Sequence, residues 1–274
     1  MSLSEYAFQY EREIRLGFFF GVFFIMASWE FFGARRKLLI AKPKRWISNL
    51  GILLIDIVTL RILFPAAAVG ISLYAAEQGW GLFNIYSVPL LVSIVISVLI
   101  LDFVIYLQHV AVHKVELLWR LHRVHHADLD FDVTTGLRFH PLEIVFSMLV
   151  KAVAIVLLGP PAVAVLVFEV ILNATAMFNH SNVRIPLRVD QVLRYFVVTP
   201  DMHRVHHSVE RDETDSNFGF NVPWWDRIFG TYRAQPRAGH LDMTIGLAEF
   251  RDPNVADRLD GLILMPFFKR KKSA

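Results

Sequence analysis

The chain has 274 residues, of which 55% are hydrophobic and 19% charged, with a mean hydropathy of +0.45. A soluble domain carries about 45–50% apolar and about 25% charged residues, so this composition excludes disorder, collagen and an ordinary soluble globule and indicates a membrane protein. The 28 Lys and Arg exceed the 25 Asp and Glu by only three, too few for a nucleic-acid-binding surface, and the absence of cysteine excludes disulfides, thiolate zinc sites, iron–sulfur clusters and a C-x-x-C-H haem attachment.

The first apolar run, Leu16 to Gly33, is crowded with Phe18, Phe19, Phe20, Phe23 and Phe24. A second covers Leu50 to Ala76 and carries Asp56 and Arg61; a third, Ser87 to Leu107, leads directly into His109. Each is long enough as a helix to cross a hydrocarbon core of ~30 Å. The fourth stretch, Leu142 to Phe178, is interrupted by Gly159-Pro160-Pro161. Two prolines cannot continue a helical hydrogen-bond ladder, so the pattern predicts a hairpin with a first arm of about 22 Å and both ends on one side. Lys151 and Glu169 lie nine and eight residues from the prolines. Antiparallel arms place them at similar depth, where an ion pair is expected because a lone charge there is costly.

Arg35, Arg36, Lys37, Lys42, Lys44 and Arg45 follow the first run, whereas the loop from Glu77 to Tyr86 has no Lys or Arg. The positive-inside rule puts the basic loop in the cytoplasm, and with it the end of the third span and everything polar beyond. The expected architecture is an all-α integral membrane bundle of three spans plus the hairpin, with a cytoplasmic, histidine-rich di-metal helical cap. Residues 1–108 anchor it, 109–240 form the catalytic region including hairpin 142–178, and 241–274 form a basic tail, all in one structural domain. Leu262 to Phe268, before Lys269-Arg270-Lys271-Lys272, reads as an interfacial anchor.

Ten of the eleven histidines fall between His109 and His207. His109-Val-Ala-Val-His113 continues the third span, and residues four apart share a helical face, so both rings can reach one metal. Asp102 and Tyr106 lie on that same face. Asp102 reads equally as the acceptor for a ligating ring's free N–H or as a helix-end charge in an interhelical hydrogen bond. His122-Arg-Val-His125-His126 and His203-Arg-Val-His206-His207 repeat H-x-x-H-H. In a helix the adjacent pair points about 100° apart, awkward for one metal but suited to two neighbouring centres, one imidazole each. Thr199 and Pro200 supply a cap and first turn for the third box.

The three boxes supply eight imidazoles, more than a closed structural zinc site needs. H-E-x-x-H is absent, and a metal transporter would hold its ligands within the spans. All-imidazole sites suit Zn, Cu, Fe and Ni; two irons with a position for dioxygen account for the ligand number, and zinc can replace iron in a purified sample. A non-catalytic membrane protein with a structural or storage metal site is the alternative.

The pattern resembles the fatty acid hydroxylase/sterol desaturase superfamily. The agreement includes Asp102 with Tyr106, Leu118-Trp119-Arg120, Asn179-His180-Ser181-Asn182, Asn217-Phe218-Gly219 and Trp225-Asp226-Arg227-Ile228-Phe229-Gly230-Thr231-Tyr232. The resemblance implies a non-haem di-iron membrane enzyme that uses dioxygen and two external electrons to hydroxylate or desaturate a lipid such as a sterol or fatty acyl chain. Carried over by position, its metal ligands are His109, His113, His122, His125, His126, His203, His206 and His207, with His180 as a further ligand. His140, in Arg138-Phe139-His140-Pro141, stays open between a ligand, a support of a ligand and a structural residue, and His240 is expected to lie at the surface. Trp224, Trp225 and Phe229 are expected to pack, and Arg120 and Arg123 to be solvated. Nothing resembles a flavin, nicotinamide or haem module, so electrons are expected from a separate cytochrome, ferredoxin or reductase.

Overall fold

The computed structural model describes residues 3–268, and among them there is no β-strand, only the isolated bridges Ala34–Val183 and Ser208–Ile245. The helices are α1 (Leu3–Gln9), α2 (Glu11–Gly33), α3 (Lys42–Leu63), α4 (Ala67–Glu77), α5 (Leu82–Ile85), α6 (Leu90–Lys114), α7 (Glu116–His126), α8 (Pro141–Leu158), α9 (Ala162–Asn179), α10 (Leu187–Leu193), α11 (Pro200–His206), α12 (Arg211–Thr214), α13 (Trp224–Ile228), α14 (Gly239–Asp242), α15 (Pro253–Ala256) and α16 (Leu259–Leu264). Five segments are long and apolar enough to cross a membrane: Glu11–Gly33, Lys42–Ile85, Leu90–Lys114, Pro141–Leu158 and Ala162–Asn179. Their outer faces expose Phe20, Phe24, Leu54, Ile62, Leu91, Val153 and Leu157, as a surface facing hydrocarbon would. The run Lys269-Arg270-Lys271-Lys272 lies outside the described residues.

The apolar run from Leu50 to Ala76 is not one helix. Pro65 has no N–H to continue the ladder, α3 ends at Leu63, and Ala67 opens α4 from a left-handed φ of 50°. The 11-residue α4 then packs beside α8 and α9. Those two form the expected hairpin, each arm 18 residues long, so the first is about 27 Å rather than about 22 Å. Gly159 ends α8 with φ 65°, where only glycine is unstrained. Ser72 Oγ donates to the Pro160 carbonyl at 2.6 Å, tying α4 to the hairpin tip.

Gly81 closes the other side of this tip. Its φ is 93°, and a Cβ there would lie 2.3 Å from the Gly159 nitrogen and 2.7 Å from the Val156 carbonyl oxygen. Backbone cannot yield as a flexible side chain can, so Gly81→Ala is expected to lower stability by more than ~2 kcal/mol. A thermal melt of the solubilised protein checks this, and an unchanged midpoint would mean that the tip is not packed this tightly.

Leu101 and Ile105 of α6 pack with Met148 and Ile155 of α8 and Phe168 of α9 in the main core. Lys151 and Glu169 meet across the hairpin at 2.5 Å, as their spacing implied, and Arg15 of α2 joins them, its Nη2 2.5 Å from the second Glu169 oxygen. Beneath the spans, buried Arg45 binds both Asp128 oxygens at 2.7 and 2.8 Å and Asp132 at 2.6 Å. Glu30 accepts the backbone N–H groups of Val133 and Asn182 at 2.7 and 2.8 Å. The first two long helices are thus bolted to the loops that follow the histidine boxes.

The segment from Leu262 to Phe268 is not a free interfacial anchor. Leu262 and Met265 are buried against Ile52, Trp119 and Val124. Arg120 Nε donates to the Pro266 carbonyl at 2.7 Å, and the buried Arg123 donates to those of Met265 and Phe268. These arginines hold the C-terminal segment in place; Arg123 is not solvated.

Candidate metal centre

Helix α6 carries His109 and His113 on its last turns, and the extended backbone of Val115 turns the chain into α7. Helix α7 presents His122 and His126 on one face, with His125 rotated away. Helix α11 begins at Thr199, whose hydroxyl accepts the Met202 N–H at 3.3 Å, and presents His203 and His206; His207 is its C-cap. His180 caps α9. All nine rings are buried.

The rings form two groups. His109, His113, His122, His126 and His206 each bring a ring nitrogen within 4.8 Å of the others, and His125, His180, His203 and His207 do the same. Each H-x-x-H-H box therefore divides between the groups. The residues four apart, His122 with His126 and His203 with His207, stay together, and the one between them crosses over. The groups adjoin, with ring centroids of His122 and His125 5.3 Å apart and those of His203 and His206 5.0 Å apart.

Most rings are held from behind. The Nδ1–H of His109 donates to the Phe218 carbonyl at 2.7 Å, that of His206 to Ser216 at 2.7 Å, that of His180 to Ala176 at 2.7 Å, and that of His125 to Arg138 at 3.2 Å. His122 donates to Glu143 at 2.6 Å and His113 to Asp215 at 3.3 Å. A neutral ring with its hydrogen on Nδ1 has only a lone pair on Nε2. The Nε2 atoms of His125 and His180 nevertheless face each other at 3.1 Å. Two lone pairs at that distance repel unless a cation lies beside them. The Nε2 atoms of His109, His113 and His206 are also buried with no partner. Burial of a polar atom without a partner is costly, and inward-facing imidazole lone pairs are a fitting donor set for a transition metal.

The same burial shifts the rings' titration. Desolvation, followed in most cases by the charge of neighbouring imidazoles, pushes His125, His126, His203, His206 and His207 well below the usual histidine range. Burial takes His180 down to about 3, against the opposing pull of its bond to Ala176. These six rings are neutral at physiological pH, the state in which imidazole binds metal.

Of the residues read from sequence, Asp102 and His140 stay open between alternatives and His240 is expected at the surface; the structure places all three. Asp102 accepts no ring N–H: its oxygens take Trp225 Nε1 at 2.8 Å and the Asn221 N–H at 3.3 Å, because the loop before α13 folds back onto α6. His240 is not at the surface; it is buried with Nε2 3.8 Å from Asp201. His140 lies outside both groups. It caps α8 by accepting the Leu142 N–H at 3.2 Å and donates to the Ile263 carbonyl, which makes it structural. Tyr106 meets Thr231 Oγ1 at 3.0 Å rather than a ring, and Phe229 stacks on Phe103 and Tyr106, as packing residues do.

Glu143, Asp215 and Asp226 are supports that spacing did not single out. Asp226 accepts the Phe218 and Gly219 N–H groups at 2.8 Å each and Thr231 Oγ1 at 2.7 Å, fixing the turn whose carbonyl orients His109. Burial raises its carboxyl to about 6, against these bonds. Glu143→Ala would leave the His122 Nδ1–H buried without an acceptor. Metal titration of this variant is expected to show binding about 10–100-fold weaker, with Glu143→Gln, which keeps an acceptor, in between. Equal affinity in all three proteins would remove the orienting role.

A cavity of about 1490 Å³ reaches this centre from the membrane-spanning part. His109, His122, Phe139, Glu143 and Phe220 line its inner end, and α2, α3, α4, α6, α8 and α9 form its walls.

Helices long enough for a bilayer, two adjoining imidazole groups and a cavity that ends on the first of them define a membrane-type protein built around a candidate double metal centre. The chain belongs to the fatty acid hydroxylase family, whose pattern matches residues 94–231. It is 30% identical over 157 residues to ornithine lipid hydroxylase OlsE of Rhizobium tropici, covering 57% of this chain and 46% of that one. It is 29% identical over 139 residues to alkylglycerol monooxygenase of Homo sapiens, covering 49% and 29%. The chain thus spans less than half the length of these curated relatives. No solved structure matches it.

Proposed function

We propose that this protein is an oxygen-dependent di-iron oxidoreductase of the membrane that hydroxylates a C–H bond of a lipid. The observation that carries the reading is the position of the first imidazole group, through His109 and His122, at the inner end of a cavity reaching from the membrane-spanning part, with the second group adjoining it. His109, His113, His122, His126 and His206 would hold one iron and His125, His180, His203 and His207 the other. The pair supplies dioxygen reduction and the oxidising power for an unactivated C–H bond; zinc in a purified sample is a substitute. Phe139, Phe220 and the apolar walls position the acyl chain and exclude water, so the oxidant meets the lipid rather than solvent. Glu143 and Asp215 hold ring hydrogens on Nδ1 and keep the inner lone pairs free. The two electrons come from a separate cytochrome, ferredoxin or reductase, and the basic segment Arg35–Arg45 supports a centre on the cytoplasmic side.

Hydroxylation is preferred to desaturation because the named relatives are a hydroxylase and a monooxygenase. A site that only stores or is structured by metal has no use for a lipid-sized cavity ending on its ligands. Expression under ¹⁸O₂, followed by analysis of host lipids, is expected to give an ¹⁸O-labelled lipid absent with His126→Ala. An unlabelled new double bond would shift the reading to desaturation. Tightly held zinc with no dioxygen uptake on reduction would favour the structural or storage site.

A further inference from the structure

Glu169 lies midway along α9, between the hairpin tip and His180, yet it is buried and carries two cations. Arg15 Nη2 and Lys151 Nζ each approach one of its oxygens at 2.5 Å, and Arg15 also reaches Glu11 at 2.8 Å. All four side chains line the cavity that ends at His109 and His122. A tie between α2 and the hairpin needs only one ion pair, and burying three or more charges among apolar helices is expensive. The bonding is also lopsided. Both Glu169 oxygens are taken, whereas Lys151 has one recorded bond for three N–H donors and Arg15 Nη1 has no recorded partner among the described residues. Arg12, Arg61, Glu13, Asp56 and Glu77 also line the cavity.

We infer that Arg15 and Lys151 form a binding site for the anionic group, carboxylate or phosphate, of an amphiphilic substrate whose chain runs down the cavity to the imidazoles. This rests on the cavity being the lipid-oxidation site proposed above. Geometry sets the reach. Lys151 is eight residues along α8 from Glu143, the partner of His122, and Glu169 is eleven residues along α9 from His180. At the helical rise these are about 12 Å and about 16 Å. Leu60, Ile144, Met148 and Leu172 line the interval, an apolar sleeve for a hydrocarbon segment.

The test compares tritiated palmitate, hexadecyl phosphate and hexadecanol binding to the full chain in maltoside micelles at pH 8, without reductant. One charge-assisted hydrogen bond corresponds to about tenfold in affinity. Palmitate or hexadecyl phosphate is expected to bind at least ~10-fold more tightly than the alcohol, and whichever is tighter identifies the anion. Arg15→Gln and Lys151→Gln are expected to remove most of that preference without weakening hexadecanol, and Lys151→Arg to keep it. Wild-type protein that binds the acid, the phosphate and the alcohol equally would overturn the inference even if no variant folds. Variants that weaken all three probes alike would show a structural tie only. No step needs iron or dioxygen, so a failure of the oxidase reading leaves this result legible by itself.

Discussion

The double variant His203→Ala/His207→Ala is expected to retain one metal per chain at undiminished affinity, whereas His203→Ala/His206→Ala is expected to weaken both sites, the group left with three rings more than the group left with four. The two proteins differ by one position in the same helix end, and each lacks two imidazoles. In the first, both losses fall in the group of four with His125 and His180, leaving the five-membered group intact. In the second, one ligand leaves each group, and with it the inward nitrogen of His206, whose ring lies 4.5 Å from that of His109 and 4.6 Å from that of His126. Removing a mere support of a ligand weakens metal binding about 10–100-fold, so loss of ligands themselves exceeds ~100-fold at the affected site. The single variant His206→Ala still leaves four rings and is expected to be milder than His203→Ala, which leaves three. Elemental analysis after equilibration with limiting ferrous ion measures the stoichiometry. Identical metal content in the two double variants would mean that the rings do not partition as described. Oxidation needs both ions in the proposed reaction, so lipid oxidation should be lost in both double variants.

Acid is expected to unfold the metal-free protein over an unusually narrow range. Free histidine titrates near 6.5, but burial keeps the rings of His125, His126, His203, His206 and His207 from protonating until well below that, and His180 until about 3. Below 6.5 the unfolded chain takes up protons that the folded chain refuses. The stabilisation from neutral rings is therefore complete above pH 6.5 and drains away as pH falls toward the folded-state values. Each ring contributes a slope of about 1 kcal/mol per pH unit, and several act together. Melting temperature should be flat from pH 8 to 7 and fall steeply below 6.5, with bound metal moving the fall to lower pH because the ions compete with protons. A melting curve that declines only below pH 4, where carboxylates titrate, would contradict this account.

The parts of the centre that were legible from sequence are those governed by local helical geometry. The divergence of His125 from His126 and of His206 from His207 follows from the angle between neighbouring residues on a helix, and the Thr199 cap from two residues of local sequence. The meeting of Lys151 and Glu169 followed from their near-equal spacing about Pro160 and Pro161. Arg15 was invisible because its contact spans 154 residues. Glu143 and Asp215 were missed for the same reason: a carboxylate that holds a ring from another element leaves no periodic trace. Asp102 stayed open between two readings because the partner that decides between them, Trp225 of α13, lies 123 residues away. The run from Leu50 to Ala76 misled through hydropathy, which does not register that Pro65 divides it. Leu262 to Phe268 has the composition of a membrane-surface anchor, and only the carbonyl-seeking Arg120 and Arg123 show that it folds inward. His180 was reached by family resemblance, since a single histidine after a hairpin has no spacing to read.

The ring hydrogens pinned by Phe218, Ser216, Ala176, Arg138, Glu143 and Asp215 also set an electrical property of the loaded centre. Every inward donor is an imidazole and none a carboxylate, so no anionic oxygen among them would cancel the positive charge of a bound ion. In a poorly screened interior each further positive charge is harder to hold, and an ion here gains less from oxidation than one bound by carboxylates. An iron held there, as proposed, would favour the ferrous state.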